Sequence, residues 1–155
     1  MILLGLGSNL GDRADFLAQA RMALLAFDVD VLAESSIIET PALVPEGAPA
    51  DWHIPYLNQV LAVRTDFAPE ELLACIKHIE QELGRKPTAR WAPREIDIDI
   101  LAYEDMLMVS DMLTLPHPQL DSRDFVLTPI LEIAPHWRHP VFDKTASELL
   151  AELRG

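Results

Sequence analysis

The chain has 155 residues and is acidic, with 25 Asp and Glu against 12 Lys and Arg and a formal net charge of −13. Its length predicts a single domain over residues 1–155. Half of its residues are hydrophobic, which is typical of a globular protein rather than a disordered or fibrous one. The negative charge argues against binding to nucleic acid or to an anionic membrane, because both require a positive protein surface.

The first third of the chain predicts a strand, a helix, a second strand and a loop. Ile2–Leu4 is an apolar run typical of a short buried strand, and Asp12 can cap a helix over residues 13–27. The β-branched residues within 29–39 predict another strand. Four prolines between residues 41 and 55 predict a loop.

The rest of the chain continues with strands and helices in an irregular order. Residues 56–65 predict a long strand, Pro69 begins a helix that ends at Gly84, and strict alternation over 95–101 predicts a further strand. Two more helices are predicted over residues 125–133 and 146–153. This order lacks regular βαβ spacing. It therefore predicts an α+β fold with a ferredoxin-like core, a mainly antiparallel sheet with helices packed on its faces.

Two aspartates on the alternating strand are candidate metal ligands. Because residues two apart on a strand share a face, Asp97 and Asp99 stand together opposite the isoleucines between them. Two adjacent carboxylates repel each other, and a divalent cation such as Mg²⁺ would relieve that repulsion. The alternative is an ordinary solvated acidic face on an edge strand.

The segment just before this strand is strongly basic. Four of the twelve basic residues fall within ten positions, namely Arg85, Lys86, Arg90 and Arg94. Arginine makes bidentate contacts to phosphate, so a cationic loop beside a carboxylate strand suits a polyphosphate and its metal ions. A solvated loop that balances nearby acidic residues is the alternative.

Other side chains are ambiguous from the sequence alone. His117, between two prolines, either donates to a phosphate or has a structural role. Tyr56 and Phe125 either clamp a flat ring or pack in the core, and Trp91 is either a packing residue or a lid. The glycine-rich segment 5–11 lacks the third glycine of a dinucleotide fingerprint, and the chain has no P-loop motif. That segment is either a structural turn or the floor of a substrate site.

Cysteine content and apolar runs limit the cellular setting. The single Cys75 excludes an internal disulfide framework and a cysteine-cluster zinc site. The apolar start is too short for a signal peptide, and no apolar run approaches the roughly 18 residues that span a bilayer. We therefore expect a soluble, cytoplasmic, monomeric protein.

A series of motifs runs in one order along nearly the whole chain. They are GLGSNLGD at 5–12, YLN at 56–58, ELGR at 82–85, RWAPREIDIDIL at 90–101, LPHP at 115–118, RDFVL at 123–127 and EIAP at 132–135. Together they resemble the 6-hydroxymethyl-7,8-dihydropterin pyrophosphokinase family of folate biosynthesis. The R-W-x-P-R-x-x-D-x-D block is the most specific of these motifs.

The resemblance implies an α+β sandwich that transfers the β,γ-pyrophosphoryl group of ATP to the 6-hydroxymethyl oxygen of the pterin and releases AMP. It implies two Mg²⁺ ions held by Asp97 and Asp99, with catalytic roles for these two residues and for Arg85 and Arg94. Implied ATP contacts are Glu80, Arg85, Arg94, His117 and Arg123. Implied pterin contacts are Thr40, Leu43, Tyr56, Asn58, Trp91 and Phe125.

Other functions remain open at this point. A different two-metal phosphoryl or nucleotidyl transferase would use the aspartate pair with another acceptor. A catalytically inactive relative would bind a pterin or a nucleotide without turnover. A structural or interaction protein would leave the basic loop beside an acidic strand unexplained. Pterin-dependent formation of AMP would distinguish a pterin pyrophosphokinase from all three of these alternatives.

Overall fold

The computed structural model describes residues 1–42, 44–85 and 93–155, and these contain both strands and helices. The strands are β1 (Ile2–Ser8), β2 (Asp30–Glu34), β3 (Ile38–Thr40), β4 (Tyr56–Arg64), β5 (Asp97–Tyr103), β6 (Met108–Val109) and β7 (Thr114–Leu115). The helices are α1 (Arg13–Ala26), α2 (Pro69–Glu82), α3 (Asp124–Ile133) and α4 (Ala146–Arg154). Two predicted pterin contacts, Leu43 and Trp91, lie outside the described residues.

The first five strands form one antiparallel sheet. Strand β1 pairs with β4 on one side and with β5 on the other, and both β2 and β3 pair with β4. Strands β6 and β7 form a separate short hairpin. The mainly antiparallel sheet is the one that the sequence predicts.

Helices cover both faces of the sheet, and each face has its own apolar core. On one face, Leu24 of α1 and Ile76 of α2 pack in the same cluster as Ile98 of β5. On the other face, Leu127 of α3 and Leu150 of α4 belong to the second cluster. The described part of the chain contains no helix with both the length and the apolar character to cross a bilayer.

The predicted strand over residues 29–39 is divided into β2 and β3 by Ser35. The Ser35 N–H donates to the Val60 carbonyl at 2.9 Å, and Ser35 Oγ accepts from the Val60 N–H at 2.9 Å. Gln59 Nε2 also donates to the Ser35 carbonyl, at 2.8 Å. The serine side chain thus takes one of the backbone bonds that would otherwise continue the strand, so the two strands are separate.

Residues 97–103 of β5 pair with residues 2–7 of β1, so β5 has one extra residue within the paired stretch. Leu3 of β1 pairs with Ala102 and Leu4 pairs with Ile100, so Leu101 is the extra residue of a bulge. Leu101 and Ala102 both belong to the core beneath α3 and α4, whereas Ile100 packs on the side of α1 and α2. Because of the bulge, the residues of β5 after Leu101 face the opposite side of the sheet from the one that strict alternation would give them.

Candidate active site

A cleft of about 150 Å³ lies where β1, β4 and β5 approach the segment from His117 to Phe125. Nine of the predicted site residues line it: Thr40, Tyr56, Asn58, Arg94, Asp97, Asp99, His117, Arg123 and Phe125. The other two described candidates, Glu80 and Arg85, do not line the cleft but are connected to it through β5. The structure thus brings together side chains that are more than 80 residues apart in sequence, such as Thr40 and Arg123.

Strand β5 presents its two carboxylates to the cleft, as the alternation predicts. Burial, and then the neighbouring charges of Asp97 and Glu80, raise the pKa of Asp99 to about 7. The guanidinium groups of Arg123 and Arg85 oppose this effect only in part. A divalent cation would relieve the repulsion, so the oxygen donors fit Mg²⁺. Among the described residues no group of three or more His, Cys, Asp or Glu side chains converges on a metal position, so phosphate and water would complete the coordination.

Arg85 links the carboxylate strand to helix α2. Its Nη1 donates to Glu80 Oε2 at 2.5 Å and to Asp97 Oδ1 at 3.1 Å. Glu80 is only 4% exposed, and its Oε2 also accepts from the Ile98 N–H at 2.9 Å. Burial raises the pKa of Glu80, while the bond from Ile98 and the charge of Arg85 lower it. In this structure Glu80 therefore holds Arg85 and β5 from outside the cleft, and its predicted contact with ATP stays a prediction.

The backbone of Arg94 and Glu95 is held by Ser8, the last residue of β1, and by Asn9, which follows it. The Asn9 N–H donates to the Arg94 carbonyl at 3.1 Å, and Asn9 Oδ1 accepts from the Arg94 N–H at 2.8 Å. Ser8 Oγ donates to the Glu95 carbonyl at 2.5 Å. The guanidinium Nη1 of Arg94 lies 3.8 Å from Asp97 Oδ1. Sequence reasoning assigned no role to Ser8 or Asn9, whose only signal was their place in the glycine-rich motif.

The segment after β7 contributes polar groups to the same cleft. His117 Nδ1 accepts from the Gln119 N–H at 3.2 Å, so a neutral imidazole carries its proton on Nε2. Burial and the charge of Arg123 lower the pKa of His117, while Asp97 raises it. A neutral His117 can therefore donate through Nε2 to an anionic oxygen. Gln119, which the sequence did not single out, lines the cleft and accepts a hydrogen bond from Arg123.

The cleft also contains side chains that suit a flat ring. Tyr56 at the start of β4 and Phe125 in the first turn of α3 both line it. Gly7 lies close to the tyrosine, because a Cβ at Gly7 would be 3.3 Å from Tyr56 Cδ1. Nearby, Asn58 Nδ2 donates to Thr40 Oγ1 at 2.7 Å. Aromatic rings beside fixed polar groups are the usual surroundings of a heteroaromatic ligand.

Comparison with known proteins shows which family and which proteins this chain is similar to. The sequence matches the family described as 7,8-dihydro-6-hydroxymethylpterin-pyrophosphokinase (HPPK) over residues 3–135. A 2-amino-4-hydroxy-6-hydroxymethyldihydropteridine pyrophosphokinase of Aquifex aeolicus is 41% identical over 151 residues, which cover 97% of this chain and 91% of the relative. A protein of the same name in Methylorubrum extorquens is 43% identical over 152 residues, with 97% and 91% covered.

Other similar proteins are much longer. The folate synthesis bifunctional protein of Chlamydia trachomatis is 41% identical over 139 residues, which cover 88% of this chain but 31% of the relative. The crystal structure of Plasmodium falciparum HPPK-DHPS wild type with pteroate matches with a TM-score of 0.70 at 16% identity, covering 97% of this chain and 42% of that one. This chain therefore spans less than half the length of these bifunctional proteins. The structural likeness confirms the α+β fold with its ferredoxin-like core.

Proposed function

Because the chain belongs to the 7,8-dihydro-6-hydroxymethylpterin-pyrophosphokinase family, we propose that it transfers the β,γ-pyrophosphoryl group of ATP to the 6-hydroxymethyl oxygen of 6-hydroxymethyl-7,8-dihydropterin. Membership of the family makes it an ATP-dependent pyrophosphokinase of folate synthesis. In the transfer, the hydroxymethyl oxygen bonds to the β-phosphorus and loses its proton. The bond from the β-phosphorus to the α,β-bridging oxygen breaks, AMP leaves with that oxygen, and the hydroxyl proton is released to solvent.

One observation carries the proposal. Asp97 and Asp99 lie in the same cleft as the two aromatic side chains Tyr56 and Phe125. A phosphate-binding half and a ring-binding half are thus continuous, so a triphosphate and a pterin can lie beside each other. Holding two reactants next to each other converts a bimolecular reaction into an effectively unimolecular one.

The phosphate half of the cleft matches the needs of pyrophosphoryl transfer. Asp97 and Asp99 are the residues that would hold two Mg²⁺ ions, which neutralise phosphate charge when bound. Arg94 and Arg123 line the same cleft as the two aspartates, and each guanidinium can donate two parallel hydrogen bonds to phosphate oxygens. His117 adds a neutral donor through Nε2. These groups position the triphosphate and stabilise the charge on it during transfer.

The ring half of the cleft supports a pterin as the acceptor. Tyr56 and Phe125 offer aromatic surface, and the hydrogen-bonded pair of Asn58 and Thr40 offers polar groups to the edge of the ring. Gly7 leaves space beside Tyr56 that a larger residue would fill. Contacts from Leu43 and Trp91 to the pterin stay predictions from the sequence.

Formation of AMP from ATP and Mg²⁺, with and without 6-hydroxymethyl-7,8-dihydropterin, tests the proposal. We expect AMP and the pyrophosphorylated pterin to form in equal amounts, and we expect EDTA to abolish the reaction and excess Mg²⁺ to restore it. Formation of ADP with a monophosphate ester would show a simple kinase instead. Binding of both substrates without AMP would show an inactive relative, and AMP formed equally without pterin would show a different acceptor.

A further inference from the structure

Two side chains beyond β1, Asn9 and Arg13, hold the backbone immediately before Tyr56. Asn9 Nδ2 donates to the Ile54 carbonyl at 3.1 Å, and Arg13 Nη1 donates to the Pro55 carbonyl at 2.9 Å. These are the last two residues before β4, which begins at Tyr56. Neither Asn9 nor Arg13 lines the cleft, so each acts on it indirectly, through the residues that it holds.

Arg13 also contacts β3, the strand that carries Thr40. The same Nη1 donates to Glu39 Oε2 at 2.9 Å. Glu39 is the neighbour of Thr40, which is paired in register with Tyr56 and hydrogen-bonded to Asn58. A single guanidinium therefore joins the end of β3 to the start of β4, where the ring-binding groups are located.

Pro55 limits the motion of the peptide unit whose carbonyl Arg13 anchors. The ring of Pro55 fixes its φ angle, so the hydrogen bond from Arg13 to its carbonyl leaves little freedom in the peptide unit that leads into Tyr56. The preceding carbonyl, that of Ile54, is held by Asn9, which is 1% exposed. Two consecutive peptide units are thus fixed before the aromatic side chain.

We propose that Asn9 and Arg13 are positioning residues for the pterin, and that they set the orientation of Tyr56 by anchoring the carbonyls of Ile54 and Pro55. The proposal rests on the proposed function, since it takes the ring that lies against Tyr56 to be the pterin. It assigns the segment after β1 a role in acceptor binding.

Arg13 offers the cleaner test of the two. Its ion pair with Glu39 lies at the surface, where the Glu39 side chain is 56% exposed, and such pairs contribute little to stability. Asn9 also holds the backbone of Arg94, so its replacement would disturb the phosphate half as well. A change at Arg13 should therefore affect pterin binding without unfolding the protein.

The experiment compares Arg13→Met, Arg13→Lys and the control Arg64→Met in steady-state kinetics. Arg64 also forms a surface ion pair, at 3.4 Å to Asp30, and does not line the cleft. We expect Arg13→Met to raise the KM for the pterin about five- to tenfold, the size expected from the loss of one typical hydrogen bond, while kcat and the KM for ATP stay within about twofold. Arg13→Lys should raise the KM for the pterin less than Arg13→Met does. Arg64→Met should leave kcat and both KM values unchanged.

An unchanged pterin KM in Arg13→Met would overturn the proposal. An equal rise in the KM for ATP, or a large fall in the melting temperature, would show a general structural role instead. A wild-type protein without pterin-dependent AMP would contradict the proposed function itself. In that case, direct binding of the fluorescent dihydropterin to wild type and to Arg13→Met would still decide the positioning role.

Discussion

Arg85 Nη1 lies 3.1 Å from Asp97 Oδ1, so the positively charged side chain of Arg85 binds one oxygen of the proposed metal site. Glu80 holds the same nitrogen at 2.5 Å from the side of α2. A metal ion bound at the proposed site would therefore compete with Arg85 for one carboxylate oxygen of Asp97. Binding of the substrates would require Arg85 to exchange Asp97 for a phosphate oxygen.

Replacing Arg85 with Met should strengthen the binding of Mg²⁺ to the ATP-free protein and slow turnover. The positive charge beside Asp97 is removed, so the metal no longer competes with it, and we expect a Kd several-fold lower by calorimetry. Turnover should fall about 100-fold, because a donor to the transferred phosphates is lost. Arg64→Met is the control for loss of a surface arginine. Weaker or equal binding of Mg²⁺ to the ATP-free variant would contradict the competition.

Replacing Asp99 with Asn should stabilise the metal-free protein while it removes activity. The pKa of Asp99 is raised to about 7 by burial and by Asp97 and Glu80, well above the value of about 3.9 in an unfolded chain. The stability that the carboxyl group contributes is therefore full below about pH 4 and is lost as the pH rises through about 7. An amide of the same shape avoids this loss.

We expect Asp99→Asn, melted in EDTA at pH 8, to unfold a few degrees above wild type, with a difference that shrinks towards pH 4. Its activity with Mg²⁺ should fall at least about 100-fold. Asp30→Asn, which changes an exposed carboxylate, is the matched control. A variant that melts below wild type at pH 8, or that keeps normal turnover, would argue against the burial or the metal role respectively.

The fold should lose stability in mild acid because of His139. This side chain is 3% exposed, and its Nδ1 accepts from the N–H groups of Val141 and Phe142 at 3.1 and 3.3 Å. Burial lowers the pKa of His139, with Asp121 opposing in part. The stability that His139 contributes is thus present above its unfolded pKa of about 6.5 and is lost as the pH falls towards the lower folded value.

Urea denaturation between pH 8 and pH 5 checks this expectation with His139→Asn, whose Oδ1 can replace Nδ1 as acceptor but does not titrate. The variant should be less stable than wild type at pH 8, by about 1–3 kcal/mol, because a smaller side chain leaves buried space. Its stability should then vary less with pH than that of wild type. Parallel pH profiles of the two proteins would show that His139 stays neutral throughout this range or does not matter.

Replacing Gly7 with Ala should weaken pterin binding selectively. The added methyl group would lie 3.3 Å from Tyr56 Cδ1, so the ring must shift. We expect the KM for the pterin to rise about tenfold and the KM for ATP to change little. Gly5 lines the same cleft, but its added methyl group would meet the terminal carbons of the Leu101 side chain at 3.3 Å, so Gly5→Ala is the comparison for a methyl group that does not touch Tyr56. An equal effect of both substitutions on the pterin KM would contradict a specific role of Gly7.

The position of the carboxylates could be predicted because strand geometry is local. Alternation over residues 95–101 requires only the period of two, and the structure places Asp97 and Asp99 together in the cleft as expected. Helix α2 begins at Pro69 and ends at Glu82, close to the prediction, because proline and glycine mark both ends in the sequence.

The contacts that hold the site could not be predicted in the same way. Asn9 bonds to groups 85 and 45 residues away along the chain, Arg94 and Ile54, and no local pattern encodes such pairs. Glu80 was predicted as an ATP contact, yet its hydrogen bonds to Arg85 and Ile98 depend on how α2 packs beside β5. Such roles depend on tertiary packing, which the sequence pattern alone does not show.

The bulge in β5 makes the place of a length change in this strand as important as the identity of the site residues. Leu3 pairs with Ala102 and Leu4 with Ile100, so a chain without Leu101 can keep both pairings and leave Asp97 and Asp99 facing the cleft. One residue inserted between Asp99 and Ile100, with Ile100 still paired with Leu4, would instead put Asp99 opposite Leu6 and turn both carboxylates towards the apolar layer beneath α1 and α2, where an ionised side chain is unstable. A homologue with a gap at the bulge is therefore expected to keep its metal site, whereas one with an insertion inside the carboxylate segment is expected to bind no metal.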